Sequence, residues 1–547
     1  MKNKEIRLHT HEVPELYTLK EMIGFVSDRY EDDIAYTIPR REGIEEDKSF
    51  RTLSNNIDAL GTFLFHQGFF DCRIAVLGGN SYEWIISYFA VANGGNTVVP
   101  LDKDLPANDL IPFMEGSGCT ALIYAPEYKD MIPAFRDGTS LRCYICMDEI
   151  EEILSKGSQL IAAGNRDYMD YLIPPERLAA IVYTSGTTSK SKGVMLSHRN
   201  VASNVSACCR MVSGAGRAVL ALPLHHTFGL LVGVIVPLMY GGRLYISRSV
   251  RNVQKDMVKL RATVAILVPA IIEVVYRKVW ETAEKNGRAA KMRTGLKLSR
   301  LLMKFGIDVR RKLFKEVHDA LGGELYLIIC GGAPLNAQIV ADFCAMGIEL
   351  LNGYGITECS PVVSVNRRQD NRIGSVGMPL DCCQARIAAP DKNGIGEIQI
   401  SGNNVMRGYY GDTQETREAF TEDGWLKTGD LGYQDKNQYL YVTGRIKHLI
   451  ILSNGKNVSP EELEEKVKMI PGVTETAVYA KHDQIIAEVY AENSEPQIEE
   501  AIRVAIHEIN RGLPMYKHIG QIKFRDTEFP KTTTMKIKKH SLGGNHA

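Results

Sequence analysis

Residues 73–102 read RIAVLGGNSYEWIISYFAVANGGNTVVPLD. Arg73 to Asn80 is an apolar run that ends in a Gly-Gly-Asn turn, the pattern of a strand leaving a sheet. Ser81 to Gly95 reads as a helix stopped by glycine, and Asn96 to Asp102 as a second strand. Parallel neighbours cannot be joined by a tight turn, so strand–helix–strand predicts a parallel sheet covered by helices. The pattern recurs downstream. LAAIVYTSG (178–186), ATVAILVPA (262–270) and LYLIICGG (325–332) each run from strand to loop. Ligands of such sheets bind outside the carboxyl ends of the strands, so the loops after these runs are the first candidates for a site.

After about Gly394 the texture changes. GEIQISG (396–402), QYLYVTG (438–444) and HLIILSNG (448–455) are short alternating strands between turns, predicting a mixed or antiparallel section. SPEELEEKVKMIPGV (459–473) is a marked helix, with Ser459 as its cap, Pro460 in the first turn and Glu461 and Glu462 at the positive end of the dipole. The expected fold is α/β. A large N-terminal domain of βα layers with a β section spans 1–443, and a small α+β domain spans 444–547.

The 547 residues amount to roughly three to four units of about 150 residues. Hydrophobic residues are 44% and charged residues 24%, which excludes a disordered, collagen-like or mostly membrane-embedded chain. Lys plus Arg and Asp plus Glu are both 65, a balance that argues against a dedicated nucleic-acid binder. Eleven cysteines without paired metal spacing read as reduced thiols and predict a cytoplasmic setting. No apolar leader is visible at the N-terminus. The apolar stretch 218–240 contains two His, two Pro and two Gly and reads as buried core rather than a span.

The chemistry is concentrated in YTSGTTSKSKG (183–193). Hydroxyls, amides and two ammonium groups in one loop suit phosphate oxygens. The Walker spacing is absent. This loop resembles the signature of the acyl-adenylate-forming (AMP-binding) superfamily, and six further motifs follow in that family's order. They are Gly331–Leu335 (GGAPL), Asn352–Glu358 (NGYGITE), Gly424–Asp430 (GWLKTGD), Gly444–Lys447 (GRIK), Asn454–Glu461 (NGKNVSPE) and Pro530–Lys536 (PKTTTMK). Ser189 and Ser191 stand where the family has Gly and Pro, and Met535 where it has Gly.

The resemblance implies an enzyme that joins a carboxylic acid to AMP and then to a thiol, using ATP, Mg²⁺ and CoA. Lys536 would bridge the carboxylate and the α-phosphate, and Glu358 would hold Mg²⁺. Thr357, Thr184, Ser185, Gly186, Thr187, Thr188 and Lys192 would hold phosphates. Tyr354, with Gly353 and Gly355 beside it, would carry the adenine, and Asn352 and the Gly331-Gly332-Ala333 backbone its edge. Asp430 and Arg445 would take the ribose. Lys447 would be the hinge of a mobile C-terminal domain, and Gly455 would border the pantetheine channel. His226 would stand at the wall of the acid site.

The region Pro223 to Gly229 has no carboxylate to pair with a substrate ammonium, so an amino acid is disfavoured. The texture most resembles bacterial long-chain fatty-acid-CoA ligases, which implies a medium- or long-chain fatty acid. A ligase loading an acyl or peptidyl carrier protein, an aryl-acid CoA ligase and a non-catalytic nucleotide or acyl binder are the other readings. Residues 285–315 carry eleven Lys/Arg and one acid. Leu298, Leu301, Leu302 and Phe305 follow helical spacing there. Either this apolar face lies in the core, or it meets anionic membrane, which would place the protein peripherally on the membrane's inner face.

Overall fold

The computed structural model describes residues 13–40, 44–184, 191–212, 214, 216–247, 249–453, 456–492, 495–532 and 536–539. Strands Arg73–Leu77 and Thr97–Leu101 pair in parallel with Arg73 opposite Thr97, and helix Tyr82–Asn93 crosses between them. Ser81 caps that helix by accepting from the Trp84 amide. Every residue of the helix except Glu83 is buried, which explains why its sequence is apolar on all sides. The sheet has seven strands. Strands 73–77, 97–101, 121–124, 143–146 and 178–183 are parallel, while 193–197 and 408–409 add antiparallel edges. The hydroxyl-rich loop therefore connects two antiparallel neighbours, Leu178–Tyr183 and Gly193–Ser197, as a hairpin.

A second sheet runs Val264–Leu267, Leu327–Cys330, Glu349–Gly355, Val362–Val365 and Met378–Pro379, with its first three strands parallel. A third contains Glu45–Ser49, Ile34–Pro39, Arg243–Ile246 and Arg217–Leu220. The antiparallel section is a four-stranded sheet of Cys383–Ala388, Gly396–Gly402, Leu426–Gln434 and Leu440–Arg445. The 218–240 stretch is internal. It holds the end of strand Arg217–Leu220, a buried π-helical turn over Phe228–Ile235 and helix Val236–Met239. No helix among the described residues is long and apolar enough to cross a membrane. All eleven cysteines are free thiols.

Beyond Arg445 the chain builds a separate core. Leu463, Val467, Val478, Ile485, Val489, Ile502 and Ile506 pack between helices Pro460–Lys468 and Pro496–Arg511 and the sheet Glu475–Lys481, Gln484–Tyr490, Ile519–Arg525. Ser459 stands at the cap position but does not cap. Its hydroxyl donates instead to the Thr443 carbonyl at 2.8 Å, tying the helix start to the preceding strand.

The basic insert forms helix Ala289–Lys304 and a short turn Arg310–Leu313. Here the spacing misleads about which side is inward. Leu296 and Ser299 are the buried positions, whereas Leu298, Leu301 and Phe305 are exposed.

Candidate active site

Two strand ends supply backbone. Leu327–Cys330 runs into Gly331-Gly332-Ala333, where Gly332 has φ +93°. A side chain at Gly331 would press the Phe228 ring at 3.1 Å, so this turn passes close to the π-helical segment. Neighbouring Glu349–Gly355 carries Asn352, Gly353, Tyr354 and Gly355, and a Cβ at Gly355 would stand 2.1 Å from the Pro361 carbonyl oxygen. Gly355 is there because backbone approaches backbone, and Gly332 because of its positive φ. Asn352 is buried, and its side-chain oxygen lacks a hydrogen-bond partner. A buried orphan acceptor costs about 1–3 kcal/mol unless a donor arrives, which suits the exocyclic amine of a purine.

The antiparallel section delivers the next pair. Asp430 and Arg445 are cross-strand partners. The Asp430 carboxylate is 4% exposed and accepts from Arg445 Nε at 2.6 Å and the Tyr354 hydroxyl at 2.7 Å. Burial, then Asp430, pushes the Tyr354 phenol well above its ordinary range, so it remains a donor. These bonds join residues from two sheets and fix the carboxylate at the cleft.

Thr184 closes the base of the hydroxyl hairpin, its amide donating to the Lys192 carbonyl at 3.1 Å. The Lys192 ammonium lies 4.8 Å from the Tyr409 ring centroid and pairs with Glu415. The Tyr409 hydroxyl donates to Glu358 Oε1 at 3.0 Å. Thr357 and Glu358 share a short 3₁₀ turn, Thr357–Cys359, which follows the Asn352–Gly355 segment. The hairpin lysine and the candidate metal ligand thus meet through Tyr409. Ser185, Gly186, Thr187, Thr188 and Gly455 lie outside the described residues.

His226 lies tilted at 45° against His225 with ring centroids 4.2 Å apart, and His225 Nε2 lies 3.5 Å from the Asp102 carboxylate. Burial would raise the Asp102 carboxyl, but facing His225 and the Asp104 amide outweigh it and bring it down to about 2. Burial, then His225, then Lys536 push His226 down to about 3 against the pull of Asp102. His226 is therefore neutral. The unfolded chain binds a proton near pH 6.5 that the folded chain refuses until about pH 3. Its stabilising contribution is full above pH 6.5 and falls as acid is added. Between pH 7 and 5 the loss should be about 2 kcal/mol, and His226→Gln should remove that increment from the pH dependence of unfolding by denaturant. An unchanged slope would mean His226 is charged in the fold.

Lys536 is bonded back to Thr532, the Thr532 amide donating to its carbonyl at 2.8 Å and its own amide donating to Thr532 Oγ1 at 3.2 Å. Its neighbours are engaged. Lys531 pairs with Glu475 and Glu528, and Lys539 with Glu461 and Glu464. Among the described residues no carboxylate pairs with Lys536. Its side chain is reached by solvent yet walled by protein. That desolvation, then Arg445, lowers its pKa, while Asp430 opposes. Lys536 thus lies within electrostatic reach of Asp430, Arg445 and His226.

Lys447 sits in a 3₁₀ turn, Ile446–His448. Arg445 before it is held by Asp430, and His448 after it pairs with Glu461 at 2.7 Å. Each side of Lys447 is thus anchored to a different unit. Tyr409, Glu415, Asp102 and His225 were not legible in sequence, because each acts through a partner brought by another element. A surface pocket lined by Leu452, His482, Asp483 and Tyr516 contains none of the site residues.

Among the described residues, the site thus combines a buried orphan acceptor at Asn352, an anchored Asp430 carboxylate and, within its electrostatic reach, Lys536, which no carboxylate pairs. The chain belongs to the AMP-binding enzyme family, whose model matches residues 26–410. It is 30% identical over 455 residues to rat long-chain-fatty-acid–CoA ligase 5, covering 76% of this chain and 66% of the rat protein. It is 27% identical over 503 residues to long-chain-fatty-acid–CoA ligase FadD15 of Mycobacterium bovis, covering 85% and 81%. Among solved structures, ATP-bound MatB of Rhodopseudomonas palustris superposes with TM-score 0.75 at 25% identity, covering 96% and 98%. The matched part spans about two thirds of the rat relative, and most of the bacterial ones.

Proposed function

We propose that this chain is an AMP-forming acid–thiol ligase that activates a medium- or long-chain fatty acid and transfers the acyl group to CoA. A carboxylate oxygen attacks the α-phosphorus of ATP, a P–O bond forms, and pyrophosphate leaves. A thiolate sulfur then attacks the acyl carbonyl carbon, and AMP leaves. The observation that supports this reading is Lys536, which no carboxylate pairs among the described residues, unlike Lys531 and Lys539, and which lies within electrostatic reach of Asp430, Arg445 and His226.

Both reactants of the first step are anions, and a fixed cation between them lowers the repulsion as they approach. Asp430, held by Tyr354 and Arg445, accepts from ribose hydroxyls, and Asn352 takes the purine amine. Thr184, Thr357, Lys192 and the hairpin receive phosphates. Glu358 is a single carboxylate, which suits Mg²⁺, an ion commonly held by one or two carboxylates with phosphate oxygens and water. When bound, that ion would offset phosphate charge. We assign 1–443 to acid and nucleotide binding and 444–547 to a mobile unit carrying Lys536, hinged at Lys447, with Gly455 at the thiol channel.

A fatty acid is supported by the names of the relatives and by the buried apolar segment Leu230, Leu231, Val234 and Ile235 that follows His226. Asp102 brings a carboxylate to this wall, where it faces His225. The test is pyrophosphate release with fatty acids of graded length, aryl acids and amino acids, followed by thioester formation with CoA or a holo-carrier protein. Fatty acids should drive release and CoA should accept the acyl group. Release only with aryl acids, or transfer only to carrier protein, would overturn the assignment of acid or of acceptor respectively.

A further inference from the structure

Helix Ala289–Lys304 has two unlike faces. At about 100° per residue, Met292, Leu296 and Ser299 share one side. Leu296 packs with Phe314, Ala345 and Met346, and Ser299 Oγ donates to the Ala345 carbonyl at 2.7 Å. That side holds the helix to the body. The opposite side carries Leu298, Leu301 and Phe305, and the turn beyond adds Ile307. Leu301 is 52% exposed and Phe305 73%, so a ridge of large apolar side chains faces water rather than the core. Clustered exposed apolar groups of this size mark a contact surface.

The charges around the ridge divide in two. Arg300 pairs with Asp342, Arg288 with Glu316 and Arg310 with Asp308, Arg311 donates to the Gly323 carbonyl, and Arg293 lies 5.7 Å from the Trp280 ring centroid. These arginines serve the fold. Among the described residues, Lys291, Lys297, Lys304 and Lys312 have no such partner. Lys297 and Lys304, seven apart, line one flank of the ridge, and Lys291 lies on the other.

We propose that this ridge seats on an anionic lipid bilayer, with Leu298, Leu301, Phe305 and Ile307 entering the headgroup–acyl boundary and Lys297, Lys304 and Lys312 resting among lipid phosphates. An apolar ridge flanked by free lysines on a helix lying along the surface is the arrangement that binds in the interfacial plane. The complementarity is of charge as well as polarity, since the sole acid of 285–315, Asp308, is consumed by Arg310. An acidic protein partner would use the lysines but would leave Phe305 and Leu301 unsatisfied unless it brought an apolar groove. The inference does not depend on which acid the cleft accepts.

The experiment is co-sedimentation of the full chain with vesicles of phosphatidylcholine, with or without phosphatidylglycerol. Wild type should bind the mixed vesicles at about 50 mM salt and release at about 500 mM, where exposed charges are screened. Replacing Lys297, Lys304 and Lys312 with Gln should weaken binding about fivefold per lysine, on the order of 100-fold together. Leu301→Ser with Phe305→Ser should abolish insertion and leave the salt-sensitive part. Both variants change only exposed side chains, so unfolding temperature and pyrophosphate release with a soluble short-chain acid should match wild type. Replacing Arg300, committed to Asp342, should alter stability rather than lipid binding. Equal binding to pure phosphatidylcholine would overturn the role of the lysines. Failure of wild type to bind mixed vesicles would overturn the proposal. So would a Phe305-dependent dimer in sedimentation equilibrium without vesicle binding, which would make the ridge a self-interface.

Discussion

Replacing Lys536 with Ala should abolish acyl-AMP formation while leaving thioester formation from supplied acyl-AMP close to wild type. Among the described residues no carboxylate pairs with this lysine, and it feels Arg445, Asp430 and His226 across the cleft. A preorganised charge aimed at a transition state is worth about 3–4 kcal/mol, so pyrophosphate release should fall by two to three orders of magnitude or more. Lys531→Ala and Lys539→Ala are the controls. Those side chains are tied to Glu475 and Glu528, and to Glu461 and Glu464, so losing them should change stability more than adenylation. Single-turnover assays of the two half-reactions separate the cases. Equal loss in both would remove Lys536 from the role proposed for it.

The second large effect is expected of Lys447→Pro. Lys447 lies in the first turn of a 3₁₀ segment, where a backbone amide has no intrahelical partner to lose. Proline fixes φ at that position and presses the preceding Ile446 towards extended backbone. Ile446 is exposed and can absorb the change, so adenylation should lose no more than a few-fold. Rotation of the small unit would have to pass through this residue, because Arg445 is anchored on one side and His448 on the other. Rotation must break the Ser459 bond to the Thr443 carbonyl and, beyond it, weak surface contacts. Lys468 is 3.7 Å from Glu273, and Arg277 donates to Thr474 at 3.3 Å. Thioester formation should therefore fall on the order of 100-fold, the cost of reacting groups held out of register. A thioester step as fast as wild type would place the pivot elsewhere.

Parts of the fold around the candidate site were readable from the sequence, for reasons that can be named. The turn at Gly331-Gly332 and the Asn352–Gly355 strand announce themselves, because a positive φ at Gly332 and close backbone approach at Gly353 and Gly355 each need glycine. The 73–102 unit was readable because a crossover helix and two apolar runs leave few other ways to pair. Ser459 shows the opposite case. Its position predicted a cap, but its hydroxyl is turned away from the helix amides and donates to the Thr443 carbonyl of a strand sixteen residues earlier.

Asp430, Arg445 and Lys536 were named through the ordered family motifs, whereas residue type and local order determined, unaided, the parallel sheet and a loop rich in hydroxyls and lysines. Those features depend on what a residue is and on its immediate neighbours. Tertiary structure alone decided which lysine stays uncommitted, since the carboxylates that occupy Lys531 and Lys539 come from as far as 78 residues away. It also decided that Tyr409 joins Lys192 to Glu358, and that Asp102 faces His225. In the basic insert, periodicity showed that helix Ala289–Lys304 has an apolar stripe but not which way it turns. Two stripes compete, and Ala345 and Met346 pack on the one carrying Leu296 and Ser299, so Leu301 and Phe305 are left in water.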